Sequence, residues 1–333
     1  MYRSIGRLRA GATPGPVDRS ASTGNNSSNV NHSIFGQAAL PPQPGLQALN
    51  TMRLRHFLPP TYREQRRSHI AFVESANLAV MWSYKAACTT VIKWVFQQNG
   101  LLPEAMAYNS WVHKYRLHHY QKSERYLSRL KRLSSGAFDV VKVVRDPLDR
   151  AVSSYIHAYR HGYDDEAIAK IVQRPISRRQ RFSFREFVTY LEQSDLHYCN
   201  PHHRIQVSPI ERHVLFRTRP SKIIRVEQGL NAALSEQERA LGLPATDFAN
   251  PVFESDHHTV RIAQAGLAAD LLQIPKDAVP PAAMFYDREL ASKVARLYAE
   301  DFRHYGYSTN LLQLAATDGG HEVGAPAFPR AQL

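Results

Sequence analysis

Two short stretches of this 333-residue chain bring a cation, hydroxyls and main-chain donors to the bend where a strand gives way to a helix. In MWSYKAACTTVIKWV (81–95), Lys85 occupies the bend, Ala86, Ala87 and Cys88 follow it, and Thr89 and Thr90 add hydroxyls. N–H groups of residues 85–90 can wrap an anion there, because the first donors of a helix are unpaired and its dipole favours negative charge. The small alanines let the backbone come close, and the lysine supplies a full charge. In VVKVVRDPLDRAVSSY (140–155), Arg145 ends a strand, Asp146 is placed as N-cap and Pro147 as the first helical residue. Arg150 and Ser153 are three apart and share a helical face. An arginine and a serine converging at such a turn suit a phosphate monoester, the guanidinium fork taking two oxygens. Each turn alone has a plain structural explanation: a solvated loop lysine, or a capped helix whose arginines pair with Asp149 or water. The G-x-x-x-x-G-K-[ST] phosphate loop is absent.

These turns need a sheet to hold them. NLAVMWS (77–83), FDVVKVV (138–144) and KIIRVE (222–227) are short apolar runs of the kind a buried parallel strand shows. Helical patterns follow each. Val91, Ile92 and Val95 share one face of the first helix, which Asn99-Gly100 and Pro103 end. FSFREFVTYLEQ (182–193) and RELASKVARLYAEDFRHYGY (288–307) are read as two further amphipathic helices. Strands alternating with helices predict an α/β domain with a central, mainly parallel sheet flanked by helices. That domain is expected over 65–310, between a Gly-, Pro-, Ser- and Asn-rich leader at 1–60 and a flexible tail at 311–333.

A hydrophobic content of 43% with 21% charged residues is that of a soluble globular protein. The net charge of +13 predicts attraction to a polyanion, whether nucleic acid, anionic lipid, acidic glycan or a multiply phosphorylated small molecule. Two cysteines, Cys88 and Cys199, cannot make a disulfide framework or a cysteine zinc site, although one bridge between them is open. No apolar run is long enough to cross a bilayer, so a soluble, cytoplasmic protein is expected, with targeting by the Arg- and Ser-rich leader as the other option.

Taken together, K-x-x-C-T after one strand and R-D-P-x-x-R-x-x-S-x-Y after the next resemble the two donor motifs of sulfotransferases that use PAPS (3′-phosphoadenosine 5′-phosphosulfate). The resemblance is closest to the carbohydrate group that includes the chondroitin, dermatan and HNK-1 enzymes. NPHHRIQ (200–206) is similar to that group's H-W-R-P-Q element, with His202, Arg204 and Gln206 matching. FSFREFVTYL, IIRVEQGLNAAL and LYAEDFRHYGY resemble further segments in the same order, so the likeness spans about 70–307. It implies a three-layer fold like that of the phosphate-loop NTPases. It also implies that Lys85, Ala86, Ala87, Cys88, Thr89 and Thr90 hold the 5′-phosphosulfate while Arg145 and Ser153 hold the 3′-phosphate. Tyr84 stands where the family usually has proline, Ala87 where it often has glycine, and His203 and Ile205 where it has tryptophan and proline.

On that resemblance a sulfuryl group moves to an acceptor hydroxyl, with a carbohydrate or glycoconjugate as acceptor, PAP (3′-phosphoadenosine 5′-phosphate) as product and no metal required. Lys85 would neutralise charge on the departing phosphate, as positioning and electrostatics do in phosphoryl transfer. A base is needed, and histidine suits. His113, between the two turns as in related uronyl sulfotransferases, is the first choice, then His202, with Glu254, His257 and His258 behind. The basic run RPISRRQRFSFR (174–185) would guide an anionic acceptor. Competing readings are an ATP-dependent small-molecule kinase, which should show a Lys-[ST] pair and an acidic Mg²⁺ ligand, and a nucleic-acid-binding protein using the basic stretch RLHHYQKSERYLSRLKR (116–132) as a helix. No nucleic-acid partner is expected, and the sequence does not give the oligomeric state.

Overall fold

Mostly apolar runs of four to six residues have little polar surface to offer water, and they become the interior of a sheet. The computed structural model describes residues 69–212, 220–253, 260–261, 268–274 and 278–308. The expected leader and tail lie outside them. In chain order, the larger sheet is made of β1 (Ile70–Val73), β2 (Leu78–Trp82), β3 (Asp139–Val144) and β4 (Lys222–Arg225). All of β1 and β2, and all of β3 beyond Asp139, is buried.

The spatial order is β1-β2-β3-β4, with β2, β3 and β4 parallel and β1 antiparallel at the edge. The three runs expected from the sequence are the three parallel strands. The edge strand β1 joins β2 through a short turn in which Asn77 takes a left-handed φ of 50°. Two two-residue strands, β5 (Val260–Arg261) and β6 (Ala278–Val279), pair separately.

The helices are α1 (Cys88–Gln98), α2 (Leu102–Tyr108), α3 (His113–His118), α4 (Glu124–Arg132), α5 (Pro147–His161), α6 (Asp165–Val172), α7 (Phe184–Glu192), α8 (Pro209–Arg212), α9 (Leu230–Leu241), α10 (Arg288–Leu297) and α11 (Ala299–Tyr305). One hydrophobic cluster gathers the sheet with α1, α4 and α9, and the Trp94 indole of α1 donates to Glu238 of α9 at 2.7 Å. A second cluster is built from α5, α7 and α10, around Tyr155, Phe184 and Phe187.

Two expectations need correction. The segment 288–307 is two helices, broken at Tyr298, whose φ of −106° and ψ of 24° leave helical geometry, and Asp301 and Phe302 of α11 are buried. The basic stretch 116–132 is the end of α3, a 3₁₀ turn and then α4, which Ser123 starts by accepting the N–H of Tyr126 at 3.2 Å. Its Arg125 and Arg129 pair with Glu74 at 3.0 and 3.6 Å. No described helix is long and apolar enough to cross a membrane.

The register places the chemistry. Trp82 lies opposite Val143, and Val144 opposite Arg225, so β2 and β3 end side by side. The segments that leave them therefore emerge at one edge of the sheet, about 5 Å apart.

Candidate functional site

The loop after β2 is tightly wound. The N–H of Ala86 donates to the carbonyl of Ser83 at 3.2 Å, so it is spent on the turn and is not offered to an anion. Lys85 and Ala87 both take left-handed backbone, φ 65° and 54°. That conformation costs an L-residue about 1 kcal/mol, and such strain gathers at functional sites. A glycine would take it freely, which is a physical reason for glycine at the position of Ala87. α1 starts with no side-chain cap, and no described group accepts the N–H of Ala87, Cys88, Thr89 or Thr90. Four donors thus stand open beside the ammonium of Lys85.

At the end of β3, Asp146 caps α5 by accepting from Leu148 and Asp149 at 2.9 and 3.1 Å, with Pro147 next to it. Arg145 comes off the same bend, with one Nη 3.7 Å from Asp149. Ser153, His157 and Arg160 follow along one face of α5. Lys85, Arg145, Ser153, His157, Arg160 and His161 line one cavity of about 230 Å³, together with Asp149 and an apolar wall that includes Val152, Ile156 and Pro280. The two turns therefore serve a single cavity. Three cations face one carboxylate there, and the field is strong enough to act on its own members. Burial, and then the charges of Arg145 and Arg160, lower the Lys85 ammonium to about 8. His161 is lowered as well, by burial and then by Lys85 and Arg160. The sequence reasoning missed Arg160, although its spacing of seven from Ser153 puts both on one helical face.

Arg150 does not join them. It is buried, 3.4 Å from Asp301 of α11, with its guanidinium over the ring of Tyr298. Its expected convergence with Ser153 on a phosphate is replaced by an ion pair in the core, because α5 turns Arg150 toward α11 and Ser153 toward the cavity.

Gln206 ties both turns to this core. Its side chain accepts the N–H of Arg145 at 3.0 Å and donates to the Arg145 carbonyl at 2.8 Å. Its own N–H donates to Asp301 at 2.6 Å, and its carbonyl accepts from Lys142 at 2.9 Å and from Ser83 at 3.4 Å. One residue thus grips the end of β3 and touches the start of the loop after β2.

The family-like segment at 200–206 adapts to its unusual residues. His203 is fully buried between Ser154, which meets its Nδ1, and Asp164, which meets its Nε2 at 3.0 Å. Both nitrogens of this buried imidazole thus have a partner. Tyr84 packs against the rings of His69 and His202.

Both leading histidine candidates lie near the loop. His113, at the start of α3, is buried with its Nε2 3.4 Å from the Thr89 hydroxyl. Its Nδ1 accepts from Nε of Arg116 at 3.3 Å. A guanidinium only donates, so the lone pair of the neutral ring is on Nδ1 and its proton on Nε2. His202 is within 2.9 Å of Asn200 through Nδ1, and burial followed by the Lys85 charge lowers it to about 4. Glu254, His257 and His258 lie outside the described residues. The run 174–185 is largely consumed in ion pairs: Arg174 with Glu186, Arg181 with Asp165, and Arg185 with Asp270 and Asp287. Cys88 and Cys199 are both free thiols.

No curated protein and no solved structure matches the chain. The sequence model described as "Sulfotransferase family" matches residues 81–308, more than half of the chain and the whole region from the end of β2 to the residues just after α11. That span includes both turns that open on the cationic cavity, and the chain belongs to the sulfotransferase family.

Proposed function

We propose that this protein transfers a sulfuryl group from PAPS to the hydroxyl of an acceptor, a carbohydrate or glycoconjugate. One observation carries the assignment of the donor: Lys85, Arg145 and Ser153 line the same cavity. A nucleotide charged at both ends needs cations at two places, and the shared edge of β2 and β3 supplies them. The strand–loop–helix form at Lys85 to Thr90 supports a phosphate-loop-like fold. PAPS supplies the activated sulfuryl group, with PAP as leaving group.

In this assignment the N–H groups of Ala87 to Thr90 and the hydroxyls of Thr89 and Thr90 hold the phosphosulfate end. The Lys85 ammonium offsets the charge that builds on the departing phosphate. Arg145, Ser153 and Arg160 hold the 3′-phosphate. His113 accepts the acceptor's proton. It touches the loop at Thr89, and His202, at about 4, is too weak a base to gain much from taking a proton near neutral pH. The Arg116 Nε–H on Nδ1 must give way before that nitrogen can take the proton.

PAP added without metal should raise the melting temperature, and ATP with Mg²⁺ should do little; an equal response to both would favour a kinase. Arg145→Ala should weaken PAP binding by about 10- to 100-fold, the worth of charged hydrogen bonds to a phosphate. His113→Ala should leave PAP binding intact and remove most ³⁵S transfer from labelled PAPS to a glycan panel. Full turnover in that variant would move the proton-accepting role elsewhere.

A further inference from the structure

Next to the donor loop in the chain, Ser83 and Tyr84 border a second cavity, of about 620 Å³, the size of a small-molecule site. The rings of Trp82, Tyr84 and Tyr198 give it flat apolar faces, and five basic side chains reach it besides His197. Most of these are already satisfied. Lys142 is held by Glu211 at 2.8 Å and by the Gln206 carbonyl, and Arg212 by Glu300 at 2.6 Å. Burial, and then the charge of Arg116, keep His69 neutral. Arg204 donates to the carbonyls of Cys199 and Tyr198.

Arg116 differs. It is only 6% exposed, its Nε is given to His113, and among the described residues its Nη groups find no acceptor and its charge no carboxylate. The guanidinium lies 6.0 Å from the Trp82 ring, whose own indole N–H has no partner among the described residues. A buried charge without a counter-ion is costly, and the arrival of an anion reverses that cost. A guanidinium matches the two oxygens of a carboxylate or a sulfate.

We infer that this second cavity is the acceptor subsite, and that it selects a small hydroxylated ring bearing its own carboxylate or sulfate, which Arg116 grips while the ring lies against Trp82 and Tyr84. The inference rests on the sulfotransferase reading above, and places the bound ring beside Arg116, the residue that also holds His113.

The test is a calorimetric titration of PAP-saturated protein, at fixed ionic strength, with two matched pairs of probes: glucuronate against glucose, and 4-hydroxybenzoate against phenol. At least one acid should bind tenfold or more tightly than its neutral counterpart. Arg116→Met should abolish that preference, Arg116→Lys should keep part of it, and both variants should bind PAP as the parent does. The inference is overturned if neither acid outbinds its partner, if the Met variant keeps the preference, or if PAP binding falls in step with it, which would put Arg116 in the donor site. Should PAP fail to bind the parent protein, the donor assignment falls by itself. The same titrations without PAP then decide the anion subsite, because the contrast between acid and neutral ring does not depend on the donor.

Discussion

The first cavity takes its cations from two contiguous motifs, Lys85 from one and Arg145 and Arg160 from the other, whereas the second collects His69, Arg116, Lys142, Arg204 and Arg212 from four separate stretches. The charge is also handled differently. The first is lined by Lys85, Arg145 and Arg160 with Asp149 as its carboxylate, a surplus of positive charge that suits a ligand with several charges. In the second, Lys142 and Arg212 hold carboxylates, Arg204 holds two carbonyls, and the Nη groups of Arg116 find no acceptor among the described residues. The first arrangement suits binding by field, the second selection by a single contact. What joins them is Gln206, which holds Arg145 by its side chain while its carbonyl takes Lys142 and Ser83.

The strongest way to break that distinction is to remove the support the cavities have in common. Asp301 is fully buried, pairs with Arg150 and accepts the N–H groups of Gln206 and Val207 at 2.6 and 3.2 Å. Asp301→Ala leaves a buried guanidinium and two amides unpaired, a loss of about 3–5 kcal/mol. The melting temperature should fall by roughly 10 °C for a domain of this size, and PAP and acidic-ring affinities should fall together. Replacing the pair by apolar side chains, Arg150→Met with Asp301→Leu, should recover much of the stability. A melting point for Asp301→Ala within two degrees or so of the parent would show that the hub carries little load.

The two cavities also differ in how far the sequence could reveal them. β2, β3 and β4 were readable because each is a continuous apolar run between turn residues, and Asp146-Pro147 because capping is a local affair. Lys85, Arg145 and Ser153 followed, since a helix start declares its open donors within a few residues. β1 escaped notice because IAFV is four residues long and pairs as an antiparallel edge. Arg150 was misplaced because its partner lies 151 positions away in α11. The same separation hides Gln206, whose contacts reach across 61, 64, 95 and 123 positions. Arg116 gave no signal at all, as the lack of a counter-ion among the described residues is visible only in three dimensions.

A milder contrast comes from pH. Lys85 titrates near 8, below the ordinary range of lysine, because it is buried and then because it faces Arg145 and Arg160. Its charge is present below pH 8 and is lost from the free protein above it, so an anion that needs the ammonium binds less tightly as pH rises. PAP affinity should drop by about tenfold between pH 7 and pH 9, the cost of paying for protonation one unit above the pKa. Lys85→Arg should remove the dependence. The acid preference of the second cavity should stay flat over the same interval, since a guanidinium keeps its proton there. Parallel decline in both cavities would mean that they share Lys85.

The smallest effect belongs to the loop between them. Ala87 is held at φ 54°, where an alanine is strained by about 1 kcal/mol and a glycine is not. Ala87→Gly removes the strain but gives the unfolded chain about 0.5–1 kcal/mol more freedom to lose. The net change should be a gain of no more than about 0.5 kcal/mol, a rise of one or two degrees in melting temperature, with both ligand affinities unchanged. Ala87→Val, whose branched side chain tolerates that φ poorly, should be destabilised and should bind PAP less well. The methyl group of Ala87 also packs on the sheet cluster. A lower melting point for the glycine variant would therefore mean that this packing outweighs the strain, and that the loop keeps its shape through its neighbours more than through its own backbone.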